Sequence, residues 1–309
     1  MTVIIAFLAN VLVAIAKTVA AALTSSASMV AEAAHSWADA GNEVFLLIAD
    51  RHSAKPKDER HPLGYGRSAF VWSLIAAFGI FTAGAIVSVM HGIQELDANE
   101  PVEDPVIAYI VLGIAFVLEG SSFLQAFVKS RRLAHQRGSS TWDFVLDTSD
   151  TTLRAVFFED AAALIGLVLA GGSILIHQLT GEAMWDAVGS ILVGILLAIV
   201  AVMLIRRNVA FLIGTSVAPG VRARAGLALL EDPEIERVTY LHLEYVGPNR
   251  LFVVAEVDLA GDAREHDVAL RLRDLERQLE AQEIVETAVL SLSVADEPSL
   301  EFDAGGGIR

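Results

Sequence analysis

The sequence predicts an α-helical membrane protein of six transmembrane helices followed by a small cytoplasmic α+β domain. Three observations carry that prediction. Hydrophobic residues make up 54% of the chain and the mean hydropathy is +0.54, above the roughly 45–50% apolar share of an ordinary soluble domain. Six separate stretches each approach the ~20 residues that a hydrocarbon core of ~30 Å requires. Beyond residue 212 the long apolar runs stop, and short alternating segments take their place.

The first span, 3–23, opens on Val3-Ile-Ile-Ala-Phe-Leu with no basic residue ahead of it, so it reads as a retained span and not as a removable signal peptide. The second, 29–48, carries a polar seam. The third, fourth, fifth and sixth occupy 69–93, 106–127, 153–177 and 185–204. Lys17 in the first and Glu119 in the fourth read as an interhelical ion pair, since a lone charge at that depth is costly. The loops set the sidedness. Arg51, Lys55, Lys57, Arg60 and Arg67 follow span two, Lys129, Arg131, Arg132 and Arg137 follow span four, and Arg206 and Arg207 follow span six. The other loops are uncharged (24–28), acidic (95–104) or carry only Glu182 (179–184). Basic loops face the cytoplasm, so both termini are expected there.

In the last third, 220–231 reads as a helix, and 236–245 and 250–259 as strands joined by Gly247-Pro-Asn. Val268, Leu270, Leu272, Leu275 and Leu279 give helical spacing over 266–282, and 284–294 reads as a third strand. The order α-β-β-α-β is that of a small ferredoxin-like α+β domain. The expected division is therefore 1–211 for transport, 212–298 for the cytoplasmic domain, and a disordered tail at 299–309 with three consecutive glycines. The net charge is −16, with much of the acid in this last third and no lysine after Lys129, which argues against nucleic acid as a partner. There is no cysteine, so disulfides, thiolate metal sites and cysteine nucleophiles are excluded. Any metal must be held by histidine and carboxylate.

The chemistry-bearing residues lie inside the apolar stretches. His35 and Asp39 stand at i, i+4 and share one helix face, with Glu32 and Asn42 on nearly the same stripe. An Asp at the centre of a span costs roughly 2.5–3.5 kcal/mol to insert, so such a residue faces a cavity, a partner or an ion. Span five holds Glu159 and Asp160, whose side chains diverge by about 100° yet can border one cavity. An imidazole with two or three carboxylates suits zinc, and carboxylate-rich sets accept other divalent ions. No His-Glu-x-x-His and no Gly-x-x-x-x-Gly-Lys-Ser/Thr occurs, which disfavours an intramembrane metalloprotease and an ATP-driven pump. The chain is expected not to be an enzyme.

Val30-Ala-Glu-Ala-Ala-His-Ser-Trp-Ala-Asp-Ala-Gly-Asn42, followed by Arg60-His-Pro-Leu-Gly-Tyr-Gly-Arg67, resembles the cation diffusion facilitator family of divalent-metal/proton antiporters. With Leu212-Ile-Gly-Thr-Ser at the exit from span six, the resemblance covers nearly the whole chain. It implies a homodimer in the lipid bilayer whose protomers each bind an ion between spans two and five and export it from the cytoplasm in exchange for protons. Zinc is the implied cargo, with manganese, iron, cobalt and cadmium as the other candidates, and no prosthetic group is implied. The family's site takes two ligands from each helix. His35 and Asp39 match the second-span pair, and Asp160 matches the last ligand of the fifth-span pair. Val156 stands where the family usually has His, and Glu159, three residues on, is the candidate to replace it; this Glu-Asp pair resembles a subgroup that includes the mitochondrial-type zinc exporters.

Two accessory sites of the family depart further. Asp58 and His61 could bind a metal in the loop after span two, but Tyr65 occupies a family His position. The cytoplasmic domain has only His242 and His266, so the regulatory zinc site of some relatives is expected to be absent or altered. Val156 also keeps open an alternative, a metal-responsive scaffold or receptor that retains the fold without turnover. The expected host is a bacterial inner membrane, from the absence of cysteine and of a targeting extension.

Overall fold

The computed structural model describes residues 2–96, 104–136 and 138–303, with side chains from residue 7 onward. The acidic stretch 97–103, Arg137 and the final residues 304–309 lie outside the described residues. The chain forms two compact units: the described parts of 1–50, 71–133 and 151–209 make the first, and those of 51–70, 134–150 and 210–309 the second.

The helices run in order as α1 (Thr2–Thr24), α2 (Ala27–Ser53), α3 (Ser68–Ala76), a π-helical turn (Ala77–Phe81), α4 (Thr82–Glu95), α5 (Pro105–Gln136), α6 (Thr141–Asp147), α7 (Thr151–Thr180) and α8 (Met184–Ile213). Among the described residues, five stretches are long and apolar enough to cross a bilayer: Phe7–Thr24, Ser68–Glu95, Pro105–Gln136, Thr151–Thr180 and Met184–Ile213. The sixth, α2, has 27 residues and the length to span, but Glu32, His35, Asp39, Asn42 and Glu43 interrupt its apolar surface. Several helices outrun the apolar stretch that announced them, α5 reaching 32 residues and α8 30. Hydropathy marks what lies in lipid, whereas a helix ends where its backbone bonding ends.

Within the first unit small residues let backbones approach, as they must where lipid supplies no hydrophobic drive between helices. Ala20, Ala21, Ala108, Ala115 and Ala170 gather around Met29, Leu112, Leu167 and Ile174, and a second cluster places Ala38, Ala77, Ala85 and Ala162 around Phe81 and Leu197. At Gly92 a Cβ would stand 2.8 Å from the carbonyl oxygen of Ala187, so only glycine permits this crossing of α4 and α8. Large apolar side chains such as Leu12, Ile110, Val117, Val168 and Ile199 are exposed, the pattern of a surface solvated by lipid. The start of α2 is capped from another helix. Asp186, in the first turn of α8, accepts from Ala27 N at 2.6 Å, Ser26 Oγ at 3.0 Å and Ser28 N at 3.3 Å, which satisfies donors that a helix start leaves open.

The second unit is built on β1 (Ile235–Gly247), β2 (Arg250–Leu259) and β3 (Val285–Leu292), with α9 (Pro219–Leu230) before them and α10 (Glu265–Glu280) between β2 and β3. The sheet order is β1-β2-β3. β1 and β2 form an antiparallel hairpin from Ile235↔Leu259 to Gly247↔Arg250, and Asn249 takes a left-handed φ of 54° in the turn. β3 runs parallel to β2, and α10 makes the crossover that a parallel pair requires. Leu251, Val253, Ala255, Val257 and Leu259 alternate inward and meet Leu229 of α9 and Leu275 of α10. This is the α+β arrangement expected, following a helical membrane part.

Other parts of the chain join this core. Phe70 is fully buried in it and stacks on Phe211 with ring centroids 5.1 Å apart. Lys57 bonds Thr287 Oγ1 at 2.8 Å and the backbone oxygen of Glu286, Arg67 pairs with Glu244, and Asn249 N donates to Ser149 Oγ at 2.9 Å. Where disorder was expected from residue 299, Leu300 N donates to Val238 O at 2.8 Å, and both Leu300 and Phe302 pack against the core. Two apolar side chains with a core to cover outweigh the glycine-rich composition that follows them.

Candidate metal site

The site begins with the spacing on α2. Glu32, His35, Asp39 and Asn42 succeed one another at three- and four-residue steps, and Glu43 stands four residues after Asp39, so an α-helix stacks them along one stripe. On α7, Val156, Glu159, Asp160 and Ala163 present a facing patch. A cavity of about 50 Å³ lies between them. From α2 it is lined by Ser36, Asp39 and Glu43, and from α7 by those four residues. Asn10 and Val13 of α1 and Glu119 and Ser122 of α5 complete the wall. A water needs roughly 10–15 Å³ of such space, so the cavity admits a small cation with only a remnant of its hydration.

Three of the lining carboxylates are held by amide or hydroxyl neighbours. Glu159 Oε1 accepts from Asn42 Nδ2 at 2.6 Å, Asp160 Oδ2 from Ser122 Oγ at 2.6 Å, and Glu43 Oε1 from Asn10 Nδ2 at 2.7 Å. Lys17 Nζ stands 2.9 Å from Glu119 Oε1 and 2.9 Å from Glu32 Oε2, so the expected Lys17–Glu119 pair exists and includes a second acid. His35 Nε2 is 3.6 Å from Asp39 Oδ2, within ion-pair range but too long for a hydrogen bond. Asp39 Oδ1, Glu43 Oε2 and Glu119 Oε2 are buried without a hydrogen-bond partner, as are both ring nitrogens of His35. Buried polar atoms in a finished protein are nearly always paired, and this many unpaired atoms at one place indicate acceptors waiting for a donor or a cation.

Of the residues singled out in the sequence, Asp39, Glu159 and Asp160 therefore border one cavity. His35 stands behind Asp39 and does not line it. Val156 lines it as an apolar wall. Among the described residues, no three His, Asp or Glu side chains converge as closely as a bound metal would require. Sequence reading missed Asn10, Glu43 and Ser122, and took Glu119 only as an ion-pair partner. Glu43 had a signal, since it continues the α2 stripe one turn past Asp39. Single polar residues on α1 and α5 had none.

In the second unit, Asp58 is already engaged. Its Oδ1 accepts from the backbone N–H groups of Arg60 and His61 at 3.0 and 2.7 Å, and its Oδ2 from the Tyr65 hydroxyl at 2.6 Å. The Tyr65 bond foremost, then those from His61 and Arg60, holds the Asp58 carboxyl below the usual carboxylate range, and the same bond pushes the Tyr65 phenol up. His61 Nδ1 is 3.2 Å from Asp58 Oδ1 and its ring lies on that of Tyr65, centroids 4.0 Å apart. His242 on β1 is half-buried and 3.8 Å from Glu244 Oε2, and His266 is exposed at the start of α10.

Residues 3–213 match the family described as the cation efflux transmembrane domain. Metal tolerance protein C4 of Arabidopsis thaliana is 35% identical over 238 residues, which cover 77% of this chain and 52% of that protein. The mitochondrial proton-coupled zinc antiporter SLC30A9 of Xenopus laevis is 34% identical over 294 residues, 93% of this chain and 52% of that protein. The cation-efflux pump FieF of Shewanella oneidensis is 25% identical over 239 residues, 77% of this chain and 75% of its own. The chain thus spans about half the length of the first two relatives.

Proposed function

Since the chain belongs to the cation efflux family and is an integral, multi-pass cation transporter, we propose that it exports divalent cations, zinc foremost, from the cytoplasm in exchange for protons. The observation that carries this reading is the cavity between α2 and α7, where Asp39, Glu159 and Asp160 border one space inside apolar helices, with Asp39 Oδ1, Glu43 Oε2 and Glu119 Oε2 buried and unpartnered beside it. Asp39, Asp160, His35 and Glu159 are the proposed ligands. Asp39 and Asp160 approach from opposite helices, His35 Nε2 lies 3.6 Å from Asp39 Oδ2, and Glu159 supplies an oxygen where Val156 has none. Nitrogen and oxygen donors of this kind hold zinc and admit related divalent ions.

Exchange follows from ligand chemistry. A carboxylate or imidazole binds a metal only when it has given up its proton, so arrival of the ion displaces protons and its departure invites them back. Asp39, Glu43, Glu119, Glu159 and Asp160 all line the cavity, and in a water-poor interior such a cluster favours a positive species, metal or proton. The basic loops favour a cytoplasmic location for both termini, and export is the proposed direction. A homodimer is the proposed assembly. The name of the Xenopus relative, a proton-coupled zinc antiporter, supports both the cargo and the exchange.

Zinc flux into vesicles reconstituted with the full chain, under an imposed pH gradient, tests this. The parent is expected to take up Zn2+ and to move protons the other way, whereas Asp39→Ala and Asp160→Ala are expected to lose uptake. Parental rates in both variants would sink the site. Val156 favours a second reading, a metal-responsive scaffold; binding of Zn2+ by the parent without flux would select it.

A further inference from the structure

Three buried charges are left unexplained by the ligand set above: Lys17 on α1, Glu32 on α2 and Glu119 on α5. Lys17 has no exposed surface and its ammonium lies 2.9 Å from a carboxylate oxygen of each acid. One carboxylate would neutralise one ammonium. With both acids ionised, the second leaves the trio with a surplus negative charge in a region where an uncompensated charge is expensive. The surplus faces the cavity. Glu119 lines it together with Asp39 and Asp160. Lys17 occupies its Oε1, while Oε2 is buried and has no hydrogen-bond partner. A carboxylate offers about four lone-pair sites, so an ammonium on one oxygen leaves the other open to a second cation.

A second observation comes from His35. Its side chain is 1% exposed, neither ring nitrogen has a hydrogen-bond partner, and Nε2 is turned toward the cavity-lining Asp39. A buried imidazole without any hydrogen bond is a rare arrangement that a metal ion would complete.

We infer that Glu119 is a further ligand of the transported cation, contributed by α5 and held in position by Lys17, an inference that rests on the transport site proposed above. Lys17 is then a positioning residue. It fixes one oxygen of Glu119 so that the other stays aimed at the cavity, and Glu32 anchors the ammonium from α2. The set of donors becomes richer in oxygen than two helices alone supply, which offsets the ligand missing at Val156.

The test is Zn2+ uptake by vesicles carrying the full chain, combined with equilibrium Zn2+ binding to the solubilised protein. Glu119→Gln is expected to raise the KM for Zn2+ and weaken binding by about tenfold or more, at least the loss seen when a supporting group of a metal site is removed. Lys17→Met should raise KM likewise, and Lys17→Arg should restore it; a merely structural pair would lower the yield of folded protein without moving KM. Should Glu119→Gln fail to fold, Glu119→Asp keeps the charge, withdraws the carboxylate by one methylene, and carries the same expected rise. If Asp160→Ala abolishes uptake while KM and binding in the Glu119 variant stay within twofold of the parent, Glu119 is not a ligand and the transport site stands. If Asp160→Ala transports like the parent, the site itself fails, and this inference with it.

Discussion

Asp58 shows how a candidate ligand is spent on local structure. Its carboxylate takes the Tyr65 hydroxyl and two backbone N–H groups, and those bonds favour the ionised form. A folded pKa below the unfolded value means that the loop gains stability above the unfolded pKa of about 3.9, and loses it as pH falls through the folded one. A carboxyl NMR titration should therefore place Asp58 below the ordinary aspartate midpoint, and Tyr65→Phe should raise it; an unmoved midpoint would remove Tyr65 as the cause. At this scale the sequence is most legible where residues cooperate over one helical turn. His35 and Asp39 stand out because i, i+4 puts them together on a face that is otherwise apolar. Asn10 does not, because a single polar side chain in an apolar run gives no hint of which neighbours the folded chain will bring to it, and Glu119 was legible only as a partner for Lys17.

At the scale of elements, hydropathy located the membrane helices, and the alternation of Val253, Ala255 and Val257 located the central strand. The π-helical turn at Ala77–Phe81 left no trace. It inserts into a uniformly apolar run where the register of inward positions cannot be read, and turns of this kind recur at functional sites. Helix α6 was missed because seven residues are too few for periodicity, although Ser140 caps it by accepting from Asp143 N at 3.1 Å. The cap that Asp186 places on α2 was equally invisible, since it depends on two elements far apart in sequence. Asp186→Ala strands the Ala27 and Ser28 N–H groups and the Ser26 hydroxyl in a buried place, at a cost of about 1–3 kcal/mol for each donor left without a partner. Thermal unfolding in detergent should show a clearly lower midpoint, with Asp186→Asn, which keeps an acceptor oxygen, closer to the parent. Equal midpoints for Asp186→Ala and the parent would mean that the cap contributes nothing.

For the molecule as a whole, composition and hydropathy made the class legible, a helical membrane part and an α+β part. They could not show which connecting segments each compact unit recruits. Phe70 reads as the start of an apolar span, yet it is buried in the core that holds the sheet, against Phe211 and near Tyr245. Only tertiary contact decides this, because an aromatic residue at a helix start is equally at home in lipid or in a core. Phe70→Ala should destabilise the sheet unit by about 3–5 kcal/mol, readable as earlier loss of amide protection in β1 and β2 by hydrogen exchange; protection equal to the parent's would place Phe70 outside that core. The recruitment of residues 51–70 also orders events during synthesis. Phe70 leaves the ribosome long before Phe211, Tyr245 and the closing strand β3 exist to cover it. The sheet unit thus completes its core only after the last span has been made, so a chain stopped short leaves an uncovered aromatic face for chaperones to hold.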